Sequence, residues 1–402
     1  MSLTPPISDL DALHLTRALS LATEAQAFAS PNPTVGCVLT HNATTIGEGA
    51  HLYDDRDHAE IAALKQAASA NHSTLGATAY VTLEPCSHHG RTGPCSDALI
   101  AAGISRCVIA TLDPNPLVSG RGLAKLRAAH IETLVLPSTH PLALRARRLN
   151  DAFAFSIQHH RPFVTLKAAL SVDGNLAPNP ATRTSTAPHW LTGPAARADV
   201  QLLRHASDAI LTGINTILAD NPSLTDRTHL PRRRPLLRVV LDSHLRTPLT
   251  AKLLHPVQND VLIVCTEDAP QSAEDALRSG GADVLRLPNN SSHNPSPSAL
   301  LHNLAERHIH SVLLEAGSHI NGAFLQQNLV DKVVLYFAEH ELGPDAIPFA
   351  AGYPSPYVLQ QRLTSLTRDT FPSTFPGATQ SSEDIRITGY LHDPWSNTKP
   401  NP

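Results

Sequence analysis

Residues 83–95 read LEPCSHHGRTGPC. Two cysteines, two histidines and an arginine share this stretch with two prolines and two glycines, so it reads as a loop that carries chemistry. The apolar run ATAYVTLEP (77–85) leads into it as a strand. CSDALIAAG (95–103) leaves it as a short helix ending at Gly103, a natural residue for the position after a helix. The loop therefore joins a strand to a helix, with one Pro-Cys pair at each end. The question is what these side chains hold, and whether the set is complete.

Working outward, helical and strand-like runs alternate. Helices are expected at 13–29, 58–70, 95–103 and 122–130, and strands at 34–40, 44–52, 77–85, 106–113 and 131–137. Helical crossovers between strands imply a mostly parallel sheet covered on both faces. PLALRARRLNDAFAFSIQHHRP (141–162) reads as one connecting helix, after which the alternation restarts. Strands are expected at FVTLKAAL, DAILTG, LLRVVLD, DVLIVCT, ADVLRLP, SVLLEAG and DKVVLYFAE, with helices at 194–206, 270–280, 297–308 and 319–329. A chain of 402 residues is too long for one ordinary core. We expect two α/β domains, residues 1–145 and 146–392, and a disordered tail at 393–402.

A composition of 42% hydrophobic and 16% charged residues is globular, and a net charge of -4 argues against a nucleic-acid surface. No apolar stretch reaches the ~18 residues that span a bilayer. The N-terminus lacks the basic and apolar regions of a signal peptide. Of five cysteines, Cys37, Cys107 and Cys265 sit in apolar runs and read as buried strand thiols. Only Cys86 and Cys95 lie in a polar loop, which favours a metal and a reducing, cytoplasmic setting over disulfides.

The upstream partner of the loop is His58-Ala59-Glu60. With 23 histidines in the chain, a lone His-x-Glu carries little weight. The order adds weight: His-x-Glu opening a helix, a strand, Pro-Cys, then Pro-Cys opening the next helix. Zinc-dependent deaminases show H-x-E…P-C-x-x-C; here eight residues rather than two separate the cysteines. His58, Cys86 and Cys95 supply three zinc ligands and leave a fourth position for water, as catalytic zinc requires. Other soft divalent ions suit the same donors. Glu60 would shuttle protons. It lies about 200° from His58 on a regular helix, so the two converge only at the helix end. Two alternatives stay open: a structural clip of Cys86, Cys95 and His88 or His89, and a solvated loop without metal.

SPNPTVGCVL, GEGAH, HAE, VTLEPCSHHGRTGPCSDALI and DPNPLVSGRG resemble the deaminase half of the bifunctional riboflavin-biosynthesis deaminase–reductases. This implies a cytidine-deaminase-like three-layer α/β/α domain, with Asn32, His51, His88 and Arg91 on a pyrimidine nucleotide. Gly93 stands where that family commonly has proline.

The second domain has no G-x-G-x-x-G. It has SVLLEAGSHINGAFL (311–325), a strand, a small-residue turn and a helix whose N-terminus can take a phosphate. Alone, this is equally a plain strand–turn–helix. FVTLKAALSVDG, WLTGPAARADVQLLRHASDAILTGINTILADNPSLTDR, VVLDSHLRTPL and EAGSHINGAFLQQNLVDKVVLY resemble the reductase half of the same family. The resemblance implies a dihydrofolate-reductase-like α/β fold that uses NADPH. Cofactor contacts would come from Ala169, Trp190, Thr216, Asp220, Ser243, Gly317, Ser318, His319, Ile320, Asn321, Gly322 and Ala323. Substrate contacts would come from Lys167, Arg204, Leu224, Arg227 and Glu315, with Arg204 and Arg227 as phosphate clamps. Pro188 replaces a serine that commonly touches substrate, and Asn175-Leu176 departs from the usual pair, which puts the nearby loop in doubt.

The expected activity is zinc-dependent deamination of a phosphorylated pyrimidine followed by NADPH-dependent reduction of its sugar, with small-molecule substrates, no nucleic acid, no membrane, and a homo-oligomeric state. The rivals are a deaminase with an inert second domain and a zinc-stabilised binding module without turnover.

Overall fold

The structure, a computed structural model, describes residues 7–89, 93–116, 118–179, 181, 190–289, 293–373 and 382–396. It divides into two compact units, Met1–His159 and His160–Pro402. Among the described residues no helix is long and apolar enough to cross a membrane.

The first unit begins with α1 (Asp9–Glu24), started by a reciprocal cap between Ser8 and Asp11, and the short α2 (Gln26–Ala29). Then come β1 (Gly36–His41), β2 (Thr44–Ala50), α3 (Ala59–Ser69), β3 (Thr78–Val81), α4 (Cys95–Ala101), β4 (Arg106–Ile109), α5 (Arg121–Ala128) and β5 (Glu132–Val135). The sheet order is β2-β1-β3-β4-β5. It is mixed rather than mostly parallel: β1 runs antiparallel to both β2 and β3, while β3, β4 and β5 are parallel. A tight turn with Asn42 at positive φ makes β1 and β2 a hairpin, which no helical crossover could do.

The expected single helix over 141–162 is two, α6 (Pro141–Leu149) and α7 (Asp151–His159). The break is at buried Asn150, whose amide donates to Thr34 O and Ala146 O while its Oδ1 accepts from Thr34 N–H. Ala143 and Ala146 of α6 pack with Leu15, Ala18, Val38, Tyr80 and Val108 in one core. The helices α3, α4 and α5 follow one another in contact, with α3 on β1 and β2 and α5 on β5, completing three layers.

The second unit contains β6 (Phe163–Leu170), β7 (Asn175–Ala177), α8 (Pro194–His205), β8 (Ala209–Gly213), α9 (Ile214–Asp220), β9 (Leu237–Leu241), β10 (Val261–Thr266), α10 (Gln271–Ser279), β11 (Asp283–Leu287), α11 (Pro297–Glu306), β12 (Ser311–Leu314), α12 (Ser318–Gln326), β13 (Lys332–Phe337), β14 (Ile347–Pro348), α13 (Pro356–Gln361), β15 (Thr364–Ser373) and β16 (Ser382–Tyr390). Its main sheet has the order β11-β10-β9-β8-β12-β6-β13-β16-β15. All pairs from β11 to β13 are parallel; β16 and β15 add antiparallel strands at one edge. Strands β8 and β10 are buried along their whole length, as parallel strands covered on both faces must be. Alternate residues of β6, Val164, Leu166, Ala168 and Leu170, enter the core with α11 and α12, which turns Lys167 and Ala169 to the other face. Of the expected tail, Asp393–Ser396 form a hydrogen-bonded turn, and 397–402 lie outside the described residues.

Candidate active sites

His58 caps α3 with extended backbone, φ −76° and ψ 161°, so it stands outside the helix that starts at Ala59. The half-turn offset of a regular helix therefore does not separate it from Glu60, which sits in the first turn and is only 3% exposed. Cys95 is the first residue of α4, after Pro94. Its Sγ lies 3.2 Å from His58 Nδ1, the Cys86 Sγ lies 3.5 Å from the same atom, and the Cys95 N–H donates to Cys86 Sγ at 3.3 Å. All three donor atoms fall within 4.8 Å of one another. Zinc bonds of ~2.3 Å to sulfur and ~2.0 Å to nitrogen in a tetrahedron place such atoms about 3.5 Å apart, so the set fits zinc. His88 and His89 are exposed and stand outside this group, so the clip reading does not describe it. Cys37, Cys107 and Cys265 are buried in β1, β4 and β10.

The electrostatics suit proton traffic. Burial, with the Cys86 thiolate adding to it, pushes the Glu60 carboxyl up to about 7. A hydrogen bond from Cys95 holds the Cys86 thiol down at about 4, and sharing that proton raises Cys95 in turn. The His58 imidazole is raised by its hydrogen bond with Cys86.

Asn32 and His51 flank the ligand group. His51 Nδ1 lies 2.7 Å from the Asp57 carbonyl, which fixes its proton there and leaves Nε2 to accept from Asn32 Nδ2 at 3.0 Å. The His51 ring meets the His58 ring edge-on at 5.2 Å. His89 lines an apolar cleft of about 430 Å³ with Ile61, Pro94, Ala98 and Ala101. Arg91 lies outside the described residues. One residue that the sequence reading passed over stands here as well. Burial, opposed by the Asn115 N–H and aided by the Glu84 charge, raises the Asp113 carboxyl to about 6. Its position just past β4, opening the DPNP run, was the available signal.

In the second unit Glu315 follows β12 and draws two cations together. Arg204 grips it with Nε at 2.8 Å and Nη2 at 3.1 Å, and Lys167 Nζ stands 3.7 Å away. Burial raises the Glu315 carboxyl, but the charges of Arg204 and Lys167 outweigh it and hold it at about 2. Burial lowers Lys167 against the pull of Glu315. Arg204 Nη1 also donates to Thr225 O at 3.0 Å. The forked face of Arg204, expected on a phosphate, is thus turned to Glu315 and the loop carrying Leu224 and Arg227. Leu224 is buried at positive φ, and the Arg227 N–H donates to Gln201 Oε1 at 3.0 Å. The PRRRP run is partly structural: Arg232 donates to Ser207 O, and Arg234 pairs with Asp208.

The expected cofactor residues gather at the carboxyl ends of parallel strands, where α/β sheets bind ligands. Ala169 is the second-last residue of β6, Thr216 and Asp220 lie on α9 after β8, Ser243 follows β9, and Gly317 caps α12 after β12. Trp190 is exposed, with Arg197 5.1 Å over its ring. Gly317 gives α12 no side-chain cap, so first-turn N–H groups face outward for an anion. Beside them Ser318 Oγ and Thr212 Oγ1 are buried without a partner among the described residues. Orphaned hydroxyls next to a bare helix N-terminus fit a phosphate-bearing dinucleotide. The expected cofactor run divides at this helix. Gly317, Ser318 and His319 form its open end, and Ile320 and Ala323 are half-buried. Asn321 and Gly322 pack inward: Asn321 donates to Phe349 O at 3.0 Å, and a Cβ at Gly322 would stand 2.1 Å from Ala351 O. Asn175 is tied to Asp173 and Gly343 O, which orders the altered turn; Pro188 lies outside the described residues.

Comparison with known proteins agrees with this two-site geometry. Residues 162–370 match the family model for the RibD C-terminal domain, and residues 8–111 match that for the cytidine and deoxycytidylate deaminase zinc-binding region. The chain is 38% identical over 337 residues to the riboflavin biosynthesis protein RibD of Aquifex aeolicus, covering 84% of this chain and 89% of that one. It resembles the solved structure of Acinetobacter baumannii RibD, with a TM-score of 0.75, 36% identity, and 95% and 98% of the two chains covered. It is similarly close to a Thermotoga maritima diaminohydroxyphosphoribosylaminopyrimidine deaminase/5-amino-6-(5-phosphoribosylamino)uracil reductase, with a TM-score of 0.75, 30% identity, and 95% and 99% covered. The chain belongs to the RibD family of riboflavin-biosynthesis proteins, and it is a bifunctional enzyme joining a zinc-dependent deaminase to an NADPH-dependent reductase.

Proposed function

We propose that the first unit deaminates 2,5-diamino-6-ribosylamino-4(3H)-pyrimidinone 5′-phosphate and that the second reduces the resulting 5-amino-6-(5-phosphoribosylamino)uracil to its ribitylamino form. The observation that carries this reading is the convergence of His58, Cys86 and Cys95 beside buried Glu60. His58, Cys86 and Cys95 hold zinc, which when bound supplies Lewis-acid activation of water. Glu60 takes the proton that the attacking water loses and returns it to the departing amine. Its burial favours that exchange, since a carboxyl titrating near neutrality can both accept and donate. Asn32, His51, His88 and Arg91 orient the pyrimidine.

In the second unit NADPH, when bound, supplies the hydride that reduces C1′ of the sugar. The protein's work there is to position. Gly317, Ser318 and His319 take a cofactor phosphate at the start of α12, with Ala169, Trp190, Thr216, Asp220 and Ser243 along the rest of the cofactor. Lys167, Glu315, Leu224 and Arg227 line the substrate, with Arg204 held by Glu315 and ordering the Leu224–Arg227 loop through Thr225. Five free, buried cysteines suit a cytoplasmic setting. The test is ammonia release from the diaminopyrimidine nucleotide, with zinc content measured on the same sample, followed by NADPH oxidation on the product. Ammonia release without later NADPH oxidation would favour the reading of an inert second domain.

A further inference from the structure

Glu84 lies two residues before the zinc ligand Cys86 and is 3% exposed. A buried carboxylate needs partners, and here they come from the connection after β4 and the first turn of α5. Its Oε2 accepts from Gly120 N–H at 2.9 Å and Asp113 N–H at 3.3 Å, and its Oε1 accepts from Leu123 N–H at 3.1 Å. Gly120 is the N-cap of α5 and offers no side chain, so Glu84 caps this helix from a distant strand end and meets its positive pole. The same carboxylate grips Asp113 N–H at the start of the segment that leads to α5. Asp113 in turn accepts from Asn115 N–H at 2.8 Å. The packing is closed on the other side by Gly122, where a Cβ would stand 1.9 Å from Pro85 O. The Glu84–Cys86 turn is therefore fastened to the backbone at Asp113, Gly120 and Leu123 by one side chain, and closed against Gly122 by one missing side chain.

We propose that Glu84 is a positioning residue of the deaminase: by fastening Asp113 and the start of α5 to the Pro85-Cys86 turn, it sets the course of the loop that carries His88, one of the residues proposed to orient the pyrimidine. It touches neither the reacting atoms nor the ligand sulfurs. Its effect falls on substrate binding more than on chemistry, because its bonds go to Asp113, Gly120 and Leu123 N–H and to none of His58, Glu60, Cys86 and Cys95. The inference rests on the deaminase reading of the first unit.

The test uses the full chain with the diaminopyrimidine nucleotide as probe. Glu84→Ala should raise KM for ammonia release about tenfold or more with kcat changed less than about threefold. Zinc content and NADPH oxidation by the second unit should be unchanged. Gly122→Ala, which pushes the same segment from Pro85, should give the same KM-against-kcat split. Glu84→Gln keeps the shape and one acceptor oxygen and should show a smaller rise; it decides the matter if the alanine variant does not fold. An unchanged KM in Glu84→Gln and Gly122→Ala overturns the proposal. So does zinc loss in Glu84→Gln, which would make Glu84 a support of the ligand turn only. Wild-type chain that releases no ammonia would instead sink the deaminase reading itself.

Discussion

Cys95 Sγ lies 3.2 Å from Nδ1 of His58, although 37 residues separate them. The contact exists because both residues sit at helix starts, His58 capping α3 and Cys95 opening α4, and α3 packs against α4. Two helix N-termini thus converge where thiolate and carboxylate chemistry is needed.

Glu60 stands in that first turn without being needed as a ligand. Glu60→Gln should lower deamination by roughly 10²–10⁴-fold while zinc stays bound. Ammonia release and metal analysis on one preparation decide it. Activity close to wild type would remove Glu60 from the mechanism.

Ser318 Oγ is buried and, among the described residues, without a partner at the mouth of α12. Ser318→Ala removes an unpaid polar group from the cofactor-free chain and should leave its thermal stability equal or slightly higher. NADPH affinity, followed by fluorescence titration, should fall by about tenfold, the loss of one hydrogen bond to a charged group. A lower melting temperature with unchanged affinity would assign the hydroxyl to packing.

Among the described residues, Glu315 is the carboxylate that pairs with both Arg204 and Lys167. Glu315→Gln leaves two buried cations facing one neutral amide and should cost about 3–5 kcal/mol in denaturant unfolding of the second unit. The pH dependence has a fixed sign. The folded carboxyl, at about 2, lies below its ordinary 4.5, so its stabilisation is complete above pH 4.5 and is lost as pH falls toward 2. The variant should therefore lose less stability than wild type over that window. A wild-type unfolding free energy that is flat between pH 4.5 and 2 would contradict the pairing.

The His58–Cys86–Cys95 group was legible because each member is announced locally: His-x-Glu at a helix start, and Pro-Cys at a strand end and at a helix start. What escaped depends on pairing across the fold. Asn150 breaks the 141–162 helix because Thr34, 116 residues earlier, takes its amide, and helical periodicity carries no trace of that bond. The antiparallel placement of β1 against β3 follows from the β1–β2 hairpin, while alternation of helices and strands alone suggested a parallel sheet. Strands β15 and β16 went unread because the edge strand β15, TSLTRDTFPS, is largely exposed and polar. Arg204 was expected to clamp a phosphate, yet the fold turns its fork onto Glu315, 111 residues away. Glu84 was visible as a charge after an apolar strand, but its three backbone donors lie 29 to 39 residues downstream.

The central claim is that one chain carries two separate chemistries, only the first of which needs the His58–Cys86–Cys95 group. Cys86→Ser in the full chain tests it most directly, with ammonia release and NADPH oxidation measured side by side and the deaminated nucleotide supplied to the second assay. The account predicts that ammonia release and bound zinc are lost while NADPH oxidation stays at the wild-type rate. Retention of ammonia release, or loss of both activities in a chain that remains folded, would contradict it.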